Sequence, residues 1–206
     1  APNGGEVWIV GAANNITWTK AGTIANVQLD YSTDGGTNYT NAIVASTPGG
    51  SLSYAWTIPD AISNTVKVKV TNLADSSVAD TSDSNFAIKG SLTLTAPNGT
   101  ELWLVGESRN ISWTKTGTIA TVKLEYSIDG GTSYPNTIIA SVSSTSPYAW
   151  TIPDAIGTQL RVRITNTADA TVFDTSNANF ELAGSVTVTA PNGSEVLTVN
   201  GSQNIT

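Results

Sequence analysis

The sequence predicts an all-β protein built as tandem two-sheet sandwiches. Three observations predict it: an internal repeat of about 95 residues, an apolar period of two within each repeat, and turn clusters between the apolar runs with no helical pattern of ten residues anywhere.

The repeat is direct. "APNGGEVWIVGAANNITWTK" at residue 1 returns as "APNGTELWLVGESRNISWTK" at 96, and "APNGSEVLTVNGSQNIT" at 190 begins a third copy. Trp18 and Trp113 stand 95 residues apart, Trp56 and Trp150 only 94, and the lost residue falls where "STPGGSLSYAW" shortens to "SVSSTSPYAW". A deletion tolerated there marks a loop. The units are 1–90, which lacks the strand that precedes "APNG" in the later copies, 91–184, and a partial third, 185–206.

Each element follows from alternation. Leu92 and Leu94 alternate in "SLTLT"; Ile16 with Trp18, and Ile111 with Trp113, place one face in the core. Val27, Leu29 and Tyr31 repeat as Val122, Leu124 and Tyr126. In "TVKVKV", Val66, Val68 and Val70 face inward against Lys67 and Lys69, and the second copy sets Leu160, Val162 and Ile164 against Arg161 and Arg163. Phe86 with Ile88, and Phe180 with Leu182, close each unit. The clusters "PNGG", "TDGG", "IPD" and "NLADSS" supply the turns. About seven short strands in this length predict an immunoglobulin-like or fibronectin III-like sandwich. The join through Lys89 and Gly90 has no flexible tether, which predicts a semi-rigid rod.

Composition narrows the chemistry. Sixteen acidic residues against nine basic ones leave a net charge of −7, unfavourable for nucleic acid or an anionic membrane. No stretch is apolar enough to cross a bilayer. Cys, His and Met are absent, which removes disulfides, thiol nucleophiles, Cys/His zinc sites and histidine bases. No cofactor is implied. The chain does not begin with Met and carries no leader pattern, so it reads as a mature product or a piece of something longer.

At "PNGGEVW", "ITW", "YSTDGG" and "YAWTIPD" each unit resembles the Ig-like domain at the N-terminus of yeast cell-wall β-glucan synthesis proteins, in the Ser/Thr-rich GPI-anchored family. It is similar also to tandem Ig-like repeats of prokaryotic surface proteins. The resemblance covers both full units and the partial third. It implies an extracellular or cell-surface setting and a structural or adhesive role, and it brings no catalytic residues.

Several residues invite a functional reading. "YSTDGGTNY" and "YSIDGGTSY" come close to an Asp-box through Ser32, Asp34, Gly36 and Tyr39, and through Ser127, Asp129, Gly131, Ser133 and Tyr134. Asp-Gly between alternating runs is a strong turn signal, so a structural turn outweighs a site. Asp75, Asp80 and Asp83 are calcium candidates, although no EF-hand loop accompanies them and Asp83 becomes Asn177 in the second copy. Trp8 and Trp103 would contact glycan if exposed, as in a carbohydrate-binding module; core packing is the competing role. Sequons mark Asn15, Asn38, Asn98, Asn110, Asn192, Asn200 and Asn204 as candidate glycosylation sites. Lys20 and Lys115 are the candidates for an isopeptide bond. Asp30 and Asp34 form no convincing catalytic pair, since one lies on a strand and the other in its turn.

The functional expectation is a non-enzymatic structural repeat segment of an extracellular surface protein, such as a filament, stalk, sheath or adhesin, with a carbohydrate-binding module for cell-wall polysaccharide as the alternative. Expected partners are neighbouring repeats or other copies of the chain. Residues 185–206 are expected either to continue a longer array or to complete the first unit of a neighbouring molecule by strand addition.

Overall fold

A computed structural model of the chain describes residues 1–206. It contains two β-sandwiches and no α-helix. In the first, β1 (Val7–Ile9), β3 (Asn26–Ser32), β4 (Asn41–Pro48), β6 (Ser63–Asn72), β7 (Ala79–Thr81) and β8 (Phe86–Lys89) form one sheet in the order β1-β8-β6-β3-β4, with β7 also on β6. The opposing sheet has two strands, β2 (Ala13–Thr17) and β5 (Ser53–Thr57).

The second sandwich repeats the six-stranded sheet with β10 (Leu102–Leu104), β12 (Thr121–Ser127), β13 (Asn136–Ser143), β15 (Gly157–Asn166), β16 (Phe173–Thr175) and β17 (Phe180–Ala183). Its opposing sheet has three strands: β9 (Ser91–Ala96), β11 (Ser108–Thr116) and β14 (Tyr148–Thr151), in the order β14-β11-β9. The units thus hold eight and nine strands where alternation alone suggests about seven. The additions are short edge pieces: β1 and β10, which pair in parallel with β8 and β17, and the three-residue β7 and β16.

The cores follow the period-two pattern. Val27 and Leu29 on β3, Val66 and Val68 on β6, and Phe86 and Ile88 on β8 are buried together with Trp8, Ile16 and Trp56. The second core holds sixteen buried apolar side chains against eleven; it keeps ten of the first core's positions, Tyr126 being half-buried where Tyr31 is buried, and adds six. Two of the extra residues, Leu92 and Leu94, come from β9 itself. Four others, Trp113, Ile119, Ile164 and Val172, are buried in the second unit, whereas Trp18, Ile24 and Val70 are half-buried in the first and Val78 is exposed. Trp18 is therefore not the fully enclosed core residue that its alternation with Ile16 suggests. The strand that would cover it has no counterpart in residues 1–90.

A single residue on β9 reports how much that strand matters. Leu94 is 1% exposed and faces Trp113 across the ladder. Leu94→Ala should destabilise the second sandwich by about 2–5 kcal/mol, read by denaturant unfolding, because a well-packed core collapses little around the void.

Candidate functional site

The acidic turns are built almost entirely from their own hydrogen bonds. Ser32 is fully buried at the end of β3; its hydroxyl accepts from the amides of Asp34 (3.2 Å) and Gly36 (2.9 Å) and donates to Asp34 Oδ1. The Asp34 carboxylate then accepts from the Asn38 amide at 3.0 Å and from its side chain at 2.7 Å. The second turn repeats this through Ser127, Asp129, Gly131 and Ser133. Gly36 has φ +91°, and a Cβ there would stand 3.0 Å from the Tyr39 hydroxyl and 3.2 Å from Lys67 Cδ, so only glycine fits. Tyr39 and Tyr134 lie against the cationic outer face of the sheet, the Arg163 guanidinium 4.5 Å from the Tyr134 ring centre.

With the Ser32 hydroxyl and then the Asn38 donors bound to it, Asp34 is held down to about 2, and the same bonds hold Asp129 below the ordinary aspartate range. Both carboxylates are engaged within their own turns. Asp30, for its part, is buried and accepts from Gln28, so the two acids share no cleft.

Other candidates are placed with equal definiteness. Trp8 and Trp103 are buried, 9% and 7% exposed, and each packs edge-on or tilted against a second tryptophan and a phenylalanine, Trp56 with Phe86 and Trp150 with Phe180. They offer no platform for sugar stacking, which corrects the glycan-contact reading. Their strands β1 and β10 add to the sheet edge with this face inward.

The structure does not bring Asp75, Asp80 and Asp83 together. No three ligating side chains gather at any point. Asp75 accepts from the amide and hydroxyl of Ser77 in its own turn. Asp83 and Asn3 exchange bonds, Asn3 Nδ2 donating to Asp83 at 2.6 Å and the Asp83 amide donating to Asn3 Oδ1 at 3.0 Å. In the second copy the Asn177 amide likewise donates to Asn98. Asp80 stands on β7, and its counterpart Asp174 accepts the Leu94 amide of β9 at 2.7 Å. Asp75 and Asp83 are tied into separate loops and Asp80 stands apart from both on β7, which is why charge and nearness in sequence alone misread them as a cluster.

Among the sequons, Asn15, Asn38, Asn110, Asn192, Asn200 and Asn204 are exposed and Asn98 is half-buried. Lys20 and Lys115 bond main-chain carbonyls, of Gly22 and Ile119, and Lys115 also bonds Ser144; neither meets an Asn side chain, so no isopeptide geometry forms. Roles unseen in the sequence include Glu6, Glu101 and Glu195, each of which accepts two amides within its own "PNG" loop. The buried Ser82 and Ser176 clasp the loops' Pro2 and Pro97 carbonyls to β6 and β15. The signal was in the repeat: all three loops keep the Glu.

An apolar recess lies in the first sandwich. A cavity of about 360 Å³ opens there, lined by Trp18, Ile24, Val27, Val70, Val78 and Asp80 among others. It stands where β9 lies in the second unit.

Comparison with known proteins adds little beyond architecture. No protein-family model matches the sequence, and no curated protein matches it. Among solved structures, the chain is similar to the fibronectin(III)-like modules of Clostridium thermocellum CbhA (16% identity, 89% of this chain and 92% of that one, TM-score 0.31). It is similar also to the titin domains z1z2 in complex with telethonin (18%, 87% and 92%, TM-score 0.29) and to the four N-terminal Ig domains of Dscam1 isoform 8.4 (12%, 86% and 42%, TM-score 0.37).

The turn network has a measurable consequence. Ser32→Ala leaves turn amides without their acceptor and should cost about 1–3 kcal/mol in the first sandwich, by denaturant unfolding. Because the folded Asp34 value of about 2 lies below the unfolded value of roughly 3.9, its contribution is complete above about pH 4 and is lost as pH falls through about 2. Turn amide protection should therefore survive at pH 4 and fade toward pH 2 in hydrogen exchange.

Proposed function

We propose that the chain is a structural tandem-repeat segment of an extracellular surface protein, a stalk, filament, sheath or adhesin, whose work is to hold successive sandwiches in a set orientation. The observation that carries this reading is the junction. The last strand of one unit, β8, passes through Gly90 alone into the first strand of the next, β9. There is no slack to swivel.

Side chains bind the two units further. Thr118 donates from its amide at 3.0 Å and its hydroxyl at 2.6 Å to the two oxygens of Asp60. Lys89 pairs with Asp169 at 2.9 Å and bonds the Thr171 hydroxyl. Gly117, at φ +72°, lets the second unit approach until a Cβ would stand 3.1 Å from Val10 and 3.2 Å from Ile62. Gly90 is closed in the same way, a Cβ there standing 2.6 Å from the Thr116 carbonyl. Bonds made by exposed groups contribute little stability singly. Their effect here is on direction, because four contacts at different points of a short junction oppose bending about any axis.

The surface setting is supported by the resemblance of "PNGGEVW", "ITW", "YSTDGG" and "YAWTIPD" to surface-protein domains and by the exposed sequons. A non-catalytic role is supported by the acids tied up in turns, loops and the junction, Asp34, Asp129, Glu6, Glu101 and Asp60 among them. The polysaccharide-binding alternative loses the stacking platform that Trp8 and Trp103 would have supplied, since both lie in the core.

Two measurements test the reading. Antibody against residues 1–184 should label intact producing cells; labelling only after lysis would sink the surface assignment. In solution, Asp60→Ala with Thr118→Val should broaden the inter-unit angle distribution seen by small-angle scattering while each sandwich unfolds as before, within about 0.5 kcal/mol. The Thr118 hydroxyl and amide hold the Asp60 carboxyl below its usual value, so the wild-type junction should loosen in the same way as pH falls through the carboxylate range, and stay closed above it.

A further inference from the structure

Both complete units carry an Asn-Gly pair that their fold requires. In the second, residues 97–101 join β9 to β10, and Gly99 stands at φ +125°, where a Cβ would lie 2.6 Å from that of Ala178. No side chain fits there. Asn98 is needed for a different reason. Its Oδ1 accepts the Asn177 amide at 2.7 Å and its carbonyl accepts the Ala178 amide at 3.2 Å, which holds the loop to the connection between β16 and β17. The first unit has the same pair: Asn3 Oδ1 accepts the Asp83 amide at 3.0 Å, and Gly4, at φ +129°, leaves no room for a Cβ against Ser84.

An asparagine followed by glycine is open to a spontaneous covalent change. The glycine amide nitrogen attacks the asparagine Cγ; the new N–C bond closes a succinimide ring, the bond from Cγ to the side-chain nitrogen breaks, and that nitrogen leaves as ammonia with the proton the glycine amide gives up. Water then opens the ring to aspartate or to isoaspartate, in which the main chain runs through the side-chain carbonyl. Glycine has no Cβ to hinder the attack. A loop that needs Asn98 and Gly99 together therefore carries this hazard with it.

The attacking nitrogen is held by Glu101. One oxygen of its carboxylate accepts the Gly99 amide at 2.8 Å and the other accepts the Asn98 amide at 2.7 Å. A carboxylate in that position disfavours the negative charge that develops on the nitrogen as its proton is lost. The same bond points the Gly99 N–H at Glu101 while Asn177 anchors the Asn98 side chain, so the reacting groups are kept by separate partners and one bond must break before they meet. Glu6 takes the Asn3 and Gly4 amides in the same way, at 2.9 and 2.8 Å.

We propose that Asn98 and Asn3 are deamidation sites suppressed in the folded chain, and that Glu101 and Glu6 are the groups that suppress them. The assignment is independent of the structural-segment reading, since it concerns how long each loop keeps its covalent structure. The units differ in what conversion would do. Asn3 Nδ2 donates to Asp83 at 2.6 Å, so a carboxylate at position 3 sets two like charges together; at position 98 the carboxylate would still accept the Asn177 amide.

Peptide mapping by mass spectrometry of the 206-residue chain, held for days at mildly alkaline pH, tests this by reading the gain of about 1 Da at each asparagine and its isoaspartate fraction. The folded chain should keep Asn98 while a free APNGTEL peptide converts. Glu101→Ala should speed conversion at Asn98 by about tenfold or more, the equivalent of one lost charge-assisted hydrogen bond, with Glu101→Gln between the two and Asn3 unchanged in both. Leu94→Ala, which weakens the same sandwich without touching the loop, should convert more slowly than Glu101→Ala. Equal rates in those two variants would overturn the proposal, because unfolding and not Glu101 would then govern the reaction. Conversion of the folded wild-type chain at the peptide's rate would overturn it too, as would an unchanged or slower rate in Glu101→Ala, the slower rate making Glu101 a base that assists the attack.

Discussion

A sandwich keeps its core dry only if both sheets are wide enough to cover it, and in this molecule the narrower sheet decides the matter. With three strands, as in the second unit, the sheet buries Trp113, Ile119, Ile164 and Val172 and adds Leu92 and Leu94 of its own. With two, as in the first, the equivalent face stays open to water. Core coverage and junction geometry both depend on that third strand. It begins one residue after the preceding unit ends, so the strand that completes a core also fixes the neighbour's position.

This coupling explains why polar residues cluster at loops and joints without forming a site. Backbone groups left unpaired at the ends of short strands must find partners, and short acids and hydroxyls are the means available. Asp34 and Asp129 close the turns, Glu6 and Glu101 close the "PNG" loops, Ser82 and Ser176 clasp those loops to the sheet, and Asp60 reaches across to Thr118. No buried side-chain nitrogen or oxygen is left without a partner. An acidic chain can therefore be rich in carboxylates and still present no three together.

The two sandwiches also serve as controls for each other. Glu125 sits between Lys123 and Arg163, at 2.6 and 2.8 Å, where the first unit has Asp30 bonded to Gln28. Different polar solutions occupy the same outer position while the inward residues barely change. What is held constant between copies is the core face, the turn network and most residues of the junction, Lys89 being the exception with Ala183 in its place.

The period-two pattern, the repeat and the turn residues were enough to determine two sandwiches, their inward faces and the structural nature of "YSTDGG", because those properties depend on neighbours along the chain. The sequence alone also showed that "SLTLT" of residues 91–95 returns as "SVTVT" at 185–189. It misplaced Trp18 in a closed core, left Trp8 and Trp103 open between core and surface, and suggested a cluster of Asp75, Asp80 and Asp83. Those depend on what lies opposite, across sheets or between units, and alternation carries no information about that distance. Only the tertiary structure decided that Trp8 faces Trp56 and Phe86, that Asp174 holds the Leu94 amide, and that Thr118 meets Asp60: each is a contact between residues far apart in the chain, fixed by the packing of one sheet or one unit against another.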